Sequence, residues 1–572
     1  LLFGPVASMV VRLRVPQERR RSVLRTALVG TAGAVLGATV GTIVGAIVAV
    51  DDVAPWLLGG TAIGGIGATL VPRRATQRRG TAGTVLLTTV AVVMTLLAGA
   101  VGTATWVWAE AGVSNVGELD FSNELRIPPL ADSTIDDQGR LVFDLDLQEG
   151  STDFLDNRHT KTWGVNGAYL GPTLRARRGE QVLVNLNNQL PEATTMHWHG
   201  MHLPAAMDGG PHQVIDPGTT WSPTWTIDQP AASLWYHPHP DGETADHMYR
   251  GIAGMFILDD DVADGLGLPS SYGVDDLPVI IQDRSFGGDG SFSTSSSVAN
   301  DVGKLGDKIL VNGTYDPYQT VTTELVRLRL LNASNTRTYD LGFTDDRSYW
   351  LVGTDSGLVE APVKLNRIQL SPGERAEIVV RFKPGDKALL RSYAADLNLD
   401  FFRERVDGAE DTFDILQFRA ADDLTASADL PDQLVPFEPP AEADAVETRH
   451  FELGGTAING HKMDMGHIDA VVHVDTVEVW VVSNQDGPPH NFHIHDVHFA
   501  VLSVDGEDPP LSLRGWKDTV PVLPGKPMRL IMEFTDYTDP NTPYMFHCHV
   551  LQHEDQGMMG QFVVVRPGEE PG

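Results

Sequence analysis

Hydrophobic and polar positions change rhythm once along this chain, near residue 110. Before it, three stretches at about 27–50, 55–72 and 82–105 are nearly free of charge. Each approaches the ~20 residues with which a helix crosses a bilayer, so residues 1–108 are expected to form a membrane region of about three helices. Gly33, Gly37, Gly41 and Gly45 recur every four residues and put a close-packing stripe on the first. Trp56, Trp106 and Trp108 stand where interfacial anchors belong. Arginines cluster before the first stretch (Arg12, Arg14, Arg19, Arg20, Arg21, Arg25) and after the second (Arg73, Arg74, Arg78, Arg79). By the positive-inside rule the chain leaves the third stretch outside the cytoplasm. A second reading makes part of this region an export signal. Arg20-Arg21-Ser22-Val23-Leu24-Arg25 loosely resembles a twin-arginine signal, and Ala109-Glu110-Ala111 offers small residues at which cleavage would release the outer part of the chain.

From about residue 113 the apolar period becomes two. A Val/Ile-Asn-Gly turn occurs at Val165-Asn166-Gly167, Val311-Asn312-Gly313 and Ile458-Asn459-Gly460, at offsets of 146 and 147 residues. Each precedes an alternating strand: Val182, Val184, Leu186; then Val326, Leu328, Leu330; then Val477, Val479, Val481. An Asn comes soon after each strand, and a Pro-Gly turn is next at Pro217-Gly218, Pro372-Gly373 and Pro524-Gly525. Alternation, frequent turns and little helical periodicity predict an all-β outer part of three tandem β-sandwiches. Turn-rich residues near 263–275 and an acidic, proline-bearing run at 424–446 separate them, giving domains of 113–262, 275–423 and 447–566.

The chemistry lies in the histidines and one cysteine. None of the 19 histidines falls between His247 and His450, so the middle sandwich is expected to be a spacer. Ten sit in four clusters: His197 and His199; His237 and His239; His490, His493 and His495; and His547, His549 and His553 around Cys548. As the only cysteine, Cys548 excludes an intramolecular disulfide. With His553 five residues on and Met558 five beyond, it supplies three parts of the His2Cys site with weak axial Met that marks electron-transfer copper. Successive side chains of a strand point to opposite faces, so His547 and His549 cannot share a metal with Cys548. His493 and His495 share a face, whereas His490, an odd number of residues from both, points away and is the missing ligand. Eight imidazoles remain, four from each terminal sandwich: His197, His199, His237, His239, His493, His495, His547 and His549. They predict a multinuclear cluster between the first and third sandwiches, joined to the Cys548 site by a few covalent bonds.

Charge bounds the partners. From residue 109 onward there are 32 basic and 73 acidic residues, net −41. Such a field disfavours nucleic acids and anionic surfaces and favours cations.

The four clusters, in this order, resemble those of the multicopper oxidases, which include laccases, bilirubin oxidases and bacterial cuprous oxidases, over nearly all of residues 120–566. The resemblance implies cupredoxin-like Greek-key sandwiches and four copper ions. It implies His490, Cys548, His553 and axial Met558 around type 1 copper, and His197 and His493 around type 2. His199, His237, His239, His495, His547 and His549 would then hold the type 3 pair. The implied activity is that of an oxygen-dependent oxidoreductase, taking single electrons from a phenolic, aromatic or metal-ion substrate such as Cu(I) and reducing dioxygen to water. Asp208-Gly209-Gly210-Pro211, Gly515-Trp516-Lys517-Asp518-Thr519-Val520 and His553-Glu554-Asp555 look like the cuprous-oxidase and bilirubin-oxidase branch. That likeness assigns proton delivery to Asp208 and Glu554; taken alone, Asp208 is equally an Asx-turn residue. The membrane stretches depart from this branch, as does the lack of a dense methionine insert among the 14 Met. The loop His461-Lys462-Met463-Asp464-Met465-Gly466-His467 mixes soft and hard donors. It is either a docking site for Cu(I), by resemblance near type 1 copper, or a loop with two core methionines. Two other classes stand beside the oxidase. A membrane-tethered cupredoxin scaffold without turnover is opposed by the complete ligand set, and a copper nitrite reductase needs no type 3 pair.

Overall fold

The computed structural model describes residues 81–155, 158–293 and 302–572. The apolar stretches at 27–50 and 55–72 lie outside the described residues. The third forms a single helix of 31 residues, Thr81–Ala111, about 46 Å long against a hydrocarbon layer of about 30 Å. Its segment Val92–Ala109 is, among the described residues, the one helical window long and apolar enough to cross a membrane. Thr103 and Thr105 return their hydroxyls to the carbonyls of Gly99 and Val101, at 2.9 and 2.8 Å, which satisfies these groups inside the helix. Of the three helices expected, the described residues therefore contain one.

The remainder, from Gly112, forms a unit of its own. Its main strands build six sheets, and three apolar cores each draw on two of them. In the first sandwich Leu145 and Val184 meet Trp198, Leu234 and Phe256. In the middle one Leu277, Leu328 and Ile378 meet Leu341, Leu390 and Phe418. In the third Leu453, Trp480 and Leu530 meet Phe492, Phe546 and Phe562.

The sequence repeats have a common physical cause. Asn166, Asn312 and Asn459 all adopt left-handed backbone, with φ of 52°, 51° and 52°. The Oδ1 atom of each accepts a backbone N–H from the neighbouring strand, that of Asp146, Ile280 or Glu452, at 2.6–2.8 Å. The Asn that ends each repeat strand is equally bound. Through Nδ2, Asn188, Asn332 and Asn484 donate to a carbonyl four or five residues on, and to a second at Ile215, Leu370 or Val522.

One boundary differs from expectation. Residues 113–125 attach to the middle sandwich: Asn123–Glu124 pairs in parallel with Pro317–Tyr318. The backbone N–H groups of Val113, Gly117, Phe121 and Ser122 are accepted by Asp411, Asp414 and Asp316 at 2.6–3.0 Å. These carboxylates decide the placement, and alternation of apolar residues carries no record of them.

Buried charge joins the first and middle sandwiches. Arg329 is held by Asp276 at 2.6 and 3.0 Å and by Glu377 at 3.0 Å, and Arg327 also pairs with Glu377. Ser233 of the first sandwich donates to Glu377 at 2.6 Å and accepts from Arg329 at 2.9 Å. Burial pushes the Glu377 carboxyl up, but Arg327 and Arg329 overcome it and hold it at about 2. Folding thus favours the carboxylate. This contribution is complete above the ordinary value of 4.5 and is lost as pH falls from 4.5 towards 2. Thermal unfolding followed against pH should show a decline across that window, flattened in Glu377→Gln. Arg329→Met, which leaves Asp276 without its cation, should cost about 3–5 kcal/mol.

Candidate metal centre

The third sandwich carries one centre in its core. On strand His490–Ile494, Phe492 and Ile494 enter the apolar core while His493 faces the other way. His490 has the parity of Phe492, as a period of two requires. The antiparallel strand Tyr544–His547 sets His547 opposite His493, and Cys548 comes at its end, inside the same core. The short helix Leu551–Asp555 returns His553 to the cysteine. His490 Nδ1 and His553 Nδ1 stand 3.0 Å apart, and each is 3.7 Å from Cys548 Sγ. Met558 is fully buried in this core, and its carbonyl accepts the Cys548 N–H at 3.1 Å.

Electrostatics prepare this pocket for a cation. Burial pushes the Cys548 thiol up, but bonds with His490 and His553 outweigh it and bring it to about 5. Burial pulls His490 down, and Asp486 together with Cys548 reverses this, to about 9. The pocket favours a thiolate beside positive charge, which is what a thiolate-bound soft metal requires. Asp486 accepts from His490 Nε2 at 2.9 Å and so turns Nδ1 towards the sulfur.

Eight imidazoles from the first and third sandwiches face one another on the other side of Cys548. Trp198 and Tyr236 fill the first core, so their strand neighbours His197, His199 and His237 point the opposite way. His197 Nδ1 donates to the carbonyl of Asp208 at 3.0 Å, and His493 Nδ1 to that of Asp518 at 2.9 Å. A carbonyl only accepts. In the neutral imidazole each Nε2 then carries a lone pair, and the two face each other at 3.4 Å. Nearby, His239 Nε2 and His495 Nε2 each lie 3.1 Å from His547 Nε2. His199 Nδ1 and His549 Nε2 lie 3.3 and 3.4 Å from His237 Nε2.

These spacings fit metal ions. Facing lone pairs repel unless a cation lies between them, and two ligands about 2.0–2.1 Å from a tetrahedral ion stand about 3.4 Å apart. Six of the imidazoles are also kept in the neutral state that a ligand needs. Burial above all holds His199, His237, His493 and His495 well below the ordinary range, and His239 and His549 at about 3. His547 is the exception: burial lowers it, and Glu554 reverses the shift.

Three buried carboxylates touch this set, Asp208, Glu554 and Asp518. Asp208 Oδ2 lies 2.7 Å from His495 Nδ1, while Oδ1 has no hydrogen-bond partner. Its side chain is thus turned onto a histidine instead of capping its own turn. Gly209 makes that possible: at φ +81° it approaches the Met196 carbonyl so closely that a Cβ would stand 1.7 Å from the oxygen. Glu554 lies between His547 Nδ1 at 3.1 Å and His239 Nδ1 at 3.6 Å. Burial raises the Glu554 carboxyl, and the two histidines bring it far below its usual range.

The middle sandwich is more than a spacer. It lends no imidazole, yet its Arg375 grips Asp518 with two bonds of 2.7 and 2.6 Å. Asp518 in turn lies 3.0 Å from His199 Nε2, which leaves Nδ1 as the atom that meets His237. Asn491 donates to the Pro372 carbonyl at 2.7 Å, and its Oδ1 accepts the His549 N–H at 2.6 Å. At Gly373 a Cβ would stand 3.1 Å from the His549 ring. Asp518 and the Pro372-Gly373 turn are visible as sequence motifs, but Arg375, Asp486 and Asn491 carry no signal beyond their type. Arg375→Met should lower the copper affinity of the eight-imidazole set about 10–100-fold, read as faster copper loss to a chelator with unchanged absorption at the Cys548 site.

Known proteins resemble this chain from the first sandwich to the third. Two family models, both described as multicopper oxidase, match residues 146–262 and 435–568. A multicopper oxidase of Staphylococcus haemolyticus is 37% identical over 446 residues, 77% of this chain and 92% of the relative. A cell division protein, FtsP, of Yersinia pestis is 35% identical over 452 residues, 77% of this chain and 92% of the relative. Among solved structures, a laccase from Pediococcus acidilactici superposes with a TM-score of 0.70 at 33% identity, covering 77% of this chain and 93% of that one. A laccase-like multicopper oxidase, CueO, of Ochrobactrum does so at 0.70 and 35%, covering 77% and 100%. Such likeness along almost the full length of these relatives shows the cupredoxin-like fold, the four-copper cofactor set and the class of oxygen-dependent oxidoreductases. This chain belongs to the multicopper oxidase family.

Proposed function

We propose that this chain oxidises a small reducing substrate beside His490 and His553, one electron at a time, and passes the electrons to dioxygen among the eight imidazoles. One observation carries the reading: Cys548 lies 3.7 Å from both His490 and His553, while its sequence neighbours His547 and His549 face the other set. A single strand end joins the two centres. In this reading His490, Cys548, His553 and Met558 hold type 1 copper, His197 and His493 type 2, and His199, His237, His239, His495, His547 and His549 the type 3 pair. Copper bound there supplies one-electron redox chemistry, by which four electrons and four protons turn one dioxygen into two waters.

The chain's own residues do the rest. Complete burial of the imidazoles excludes bulk water, so protons must travel on fixed groups. Asp208 and Glu554, seated against His495 and His547, are the carboxylates that hold and move them.

Cu(I) is the substrate we favour. Met463 N–H donates to the Gly557 carbonyl at 2.9 Å, which lays the 461–467 loop beside the residue preceding Met558. Gln561 Nε2 pins that loop through the carbonyls of Asp464, Met465 and His467. Met465 is 37% exposed and Asp464 lies open beside it, so soft and hard donors face solvent in a strongly acidic domain. The helix Thr81–Ala111 supports a membrane anchor, with the sandwiches outside the cytoplasm or released there by cleavage. Likeness to cell division proteins favours a second reading, a tethered scaffold without turnover; the complete donor set around Cys548 speaks against it.

Copper-loaded protein should consume oxygen with Cu(I) or phenols as donors and Cys548→Ser should not; absence of uptake from the wild type would establish the scaffold. Asp208→Asn and Glu554→Gln should each slow turnover about 100-fold or more while the Cys548 absorption persists, and intact turnover in both would end their proton role. Asp464→Ala with Met465→Ala should remove cuprous but spare phenolic oxidation, as comparison of kcat/KM for the two donors will show.

A further inference from the structure

The first sandwich contains a buried imidazole that the copper chemistry does not use. His247 sits on the helix Thr244–Arg250, with its side chain fully buried and the edge of its ring against Trp163. His247 Nδ1 lies 2.9 Å from the Thr194 hydroxyl oxygen, and Nε2 has no hydrogen-bond partner. With its proton on Nδ1, towards Thr194, the imidazole offers the Nε2 lone pair.

Nε2 faces two carboxylates. Glu192 Oε1 lies 3.4 Å from Nε2 and Glu243 Oε2 lies 3.7 Å from it. Protonation of the imidazole would reconcile the three groups as an ion pair. It is disfavoured, because burial pulls His247 down to about 4 against the pull of Asp246. The neutral imidazole thus sets one unpartnered buried nitrogen against two carboxylate oxygens. The spacing suits a shared ion, since ligands about 2.0–2.1 Å from a tetrahedral metal stand about 3.4 Å apart.

The frame is rigid and the mouth is open. Asp555 caps the helix by accepting the N–H groups of Thr244 and Ala245 at 2.8 and 3.0 Å. The Glu192 carbonyl is held by Asn188 at 2.9 Å. Glu243 is the helix N-cap residue, yet its side chain makes no capping bond, so its carboxylate is uncommitted. Both Glu side chains reach solvent, at 44% and 61% exposure, and an ion can enter directly.

We propose that His247 Nε2, Glu192 and Glu243 form a fifth, mononuclear metal site that takes a divalent cation of zinc or copper type. One imidazole and two carboxylates give a neutral site with a 2+ ion and match borderline metals. Calcium and magnesium prefer all-oxygen shells.

The probe is Zn2+ added to protein already holding its four coppers, with metal per chain measured after gel filtration. Wild type should retain one zinc beyond the coppers. Glu192→Gln with Glu243→Gln, both at the surface, should bind it at least tenfold more weakly with copper content and oxygen uptake unchanged. Co2+ in the same site should give tetrahedral visible absorption that the double variant and His247→Gln lose. Equal zinc retention by wild type and the double variant, or none in either, would overturn the site, whether or not His247→Gln folds.

Discussion

Two nitrogens that carry lone pairs in the neutral imidazole, His197 Nε2 on the first sandwich and His493 Nε2 on the third, face each other across 3.4 Å in a region closed to water. Left alone, that contact opposes association of the two sandwiches. A shared cation would turn it into the bond that joins them, and the same would hold for the sets around His237 and His547. The imidazole set is therefore part of the domain interface, and the surrounding structure serves to keep its ring nitrogens aimed. Nδ1 of His197, His493, His237 and His547 is committed to a backbone carbonyl. His495 leans on Asp208 instead. His199 is reversed, with Nε2 bound to Asp518 and Nδ1 left for the metal side.

The middle sandwich acquires its purpose from the same constraint. A carboxylate beside neutral imidazoles in a dry interior is costly unless a cation balances it. Arg375 provides that cation for Asp518, while Lys517 is held by Asp355 and Glu374 at 3.0 and 2.8 Å. These pairs cross from the middle sandwich to the third, just as Arg329, Glu377 and Ser233 cross to the first. A sandwich without a histidine thus holds the two that carry the imidazoles in one register. Its Pro372-Gly373 turn touches the imidazoles directly.

Much of the donor set was legible because strand geometry is strict. Side chains alternate, so the parity of His490 against His493 and of Cys548 against its neighbours separates two centres from residue order alone. The lone cysteine lent the same segment a chemical identity. Strand parity does not carry any contact made at right angles to a strand. Asp486 on His490, Asn491 between Pro372 and His549, and Arg375 on Asp518 each depend on loops meeting across sandwiches. The strand Asn123–Glu124 joined the middle sheet for a similar reason, because three aspartates far along the chain accept the backbone N–H groups of its segment.

By itself the sequence determined the three repeated sandwiches, the ten histidines and one cysteine that face inward, and the split between a thiolate site and an imidazole set. All of these arise from local periodicity and residue type. Only the tertiary structure decided which nitrogen of each imidazole is free, which carboxylates stand behind them and how the middle sandwich takes part. Hydrogen-bond direction and charge balance depend on groups brought together from distant parts of the chain, and no local pattern records them.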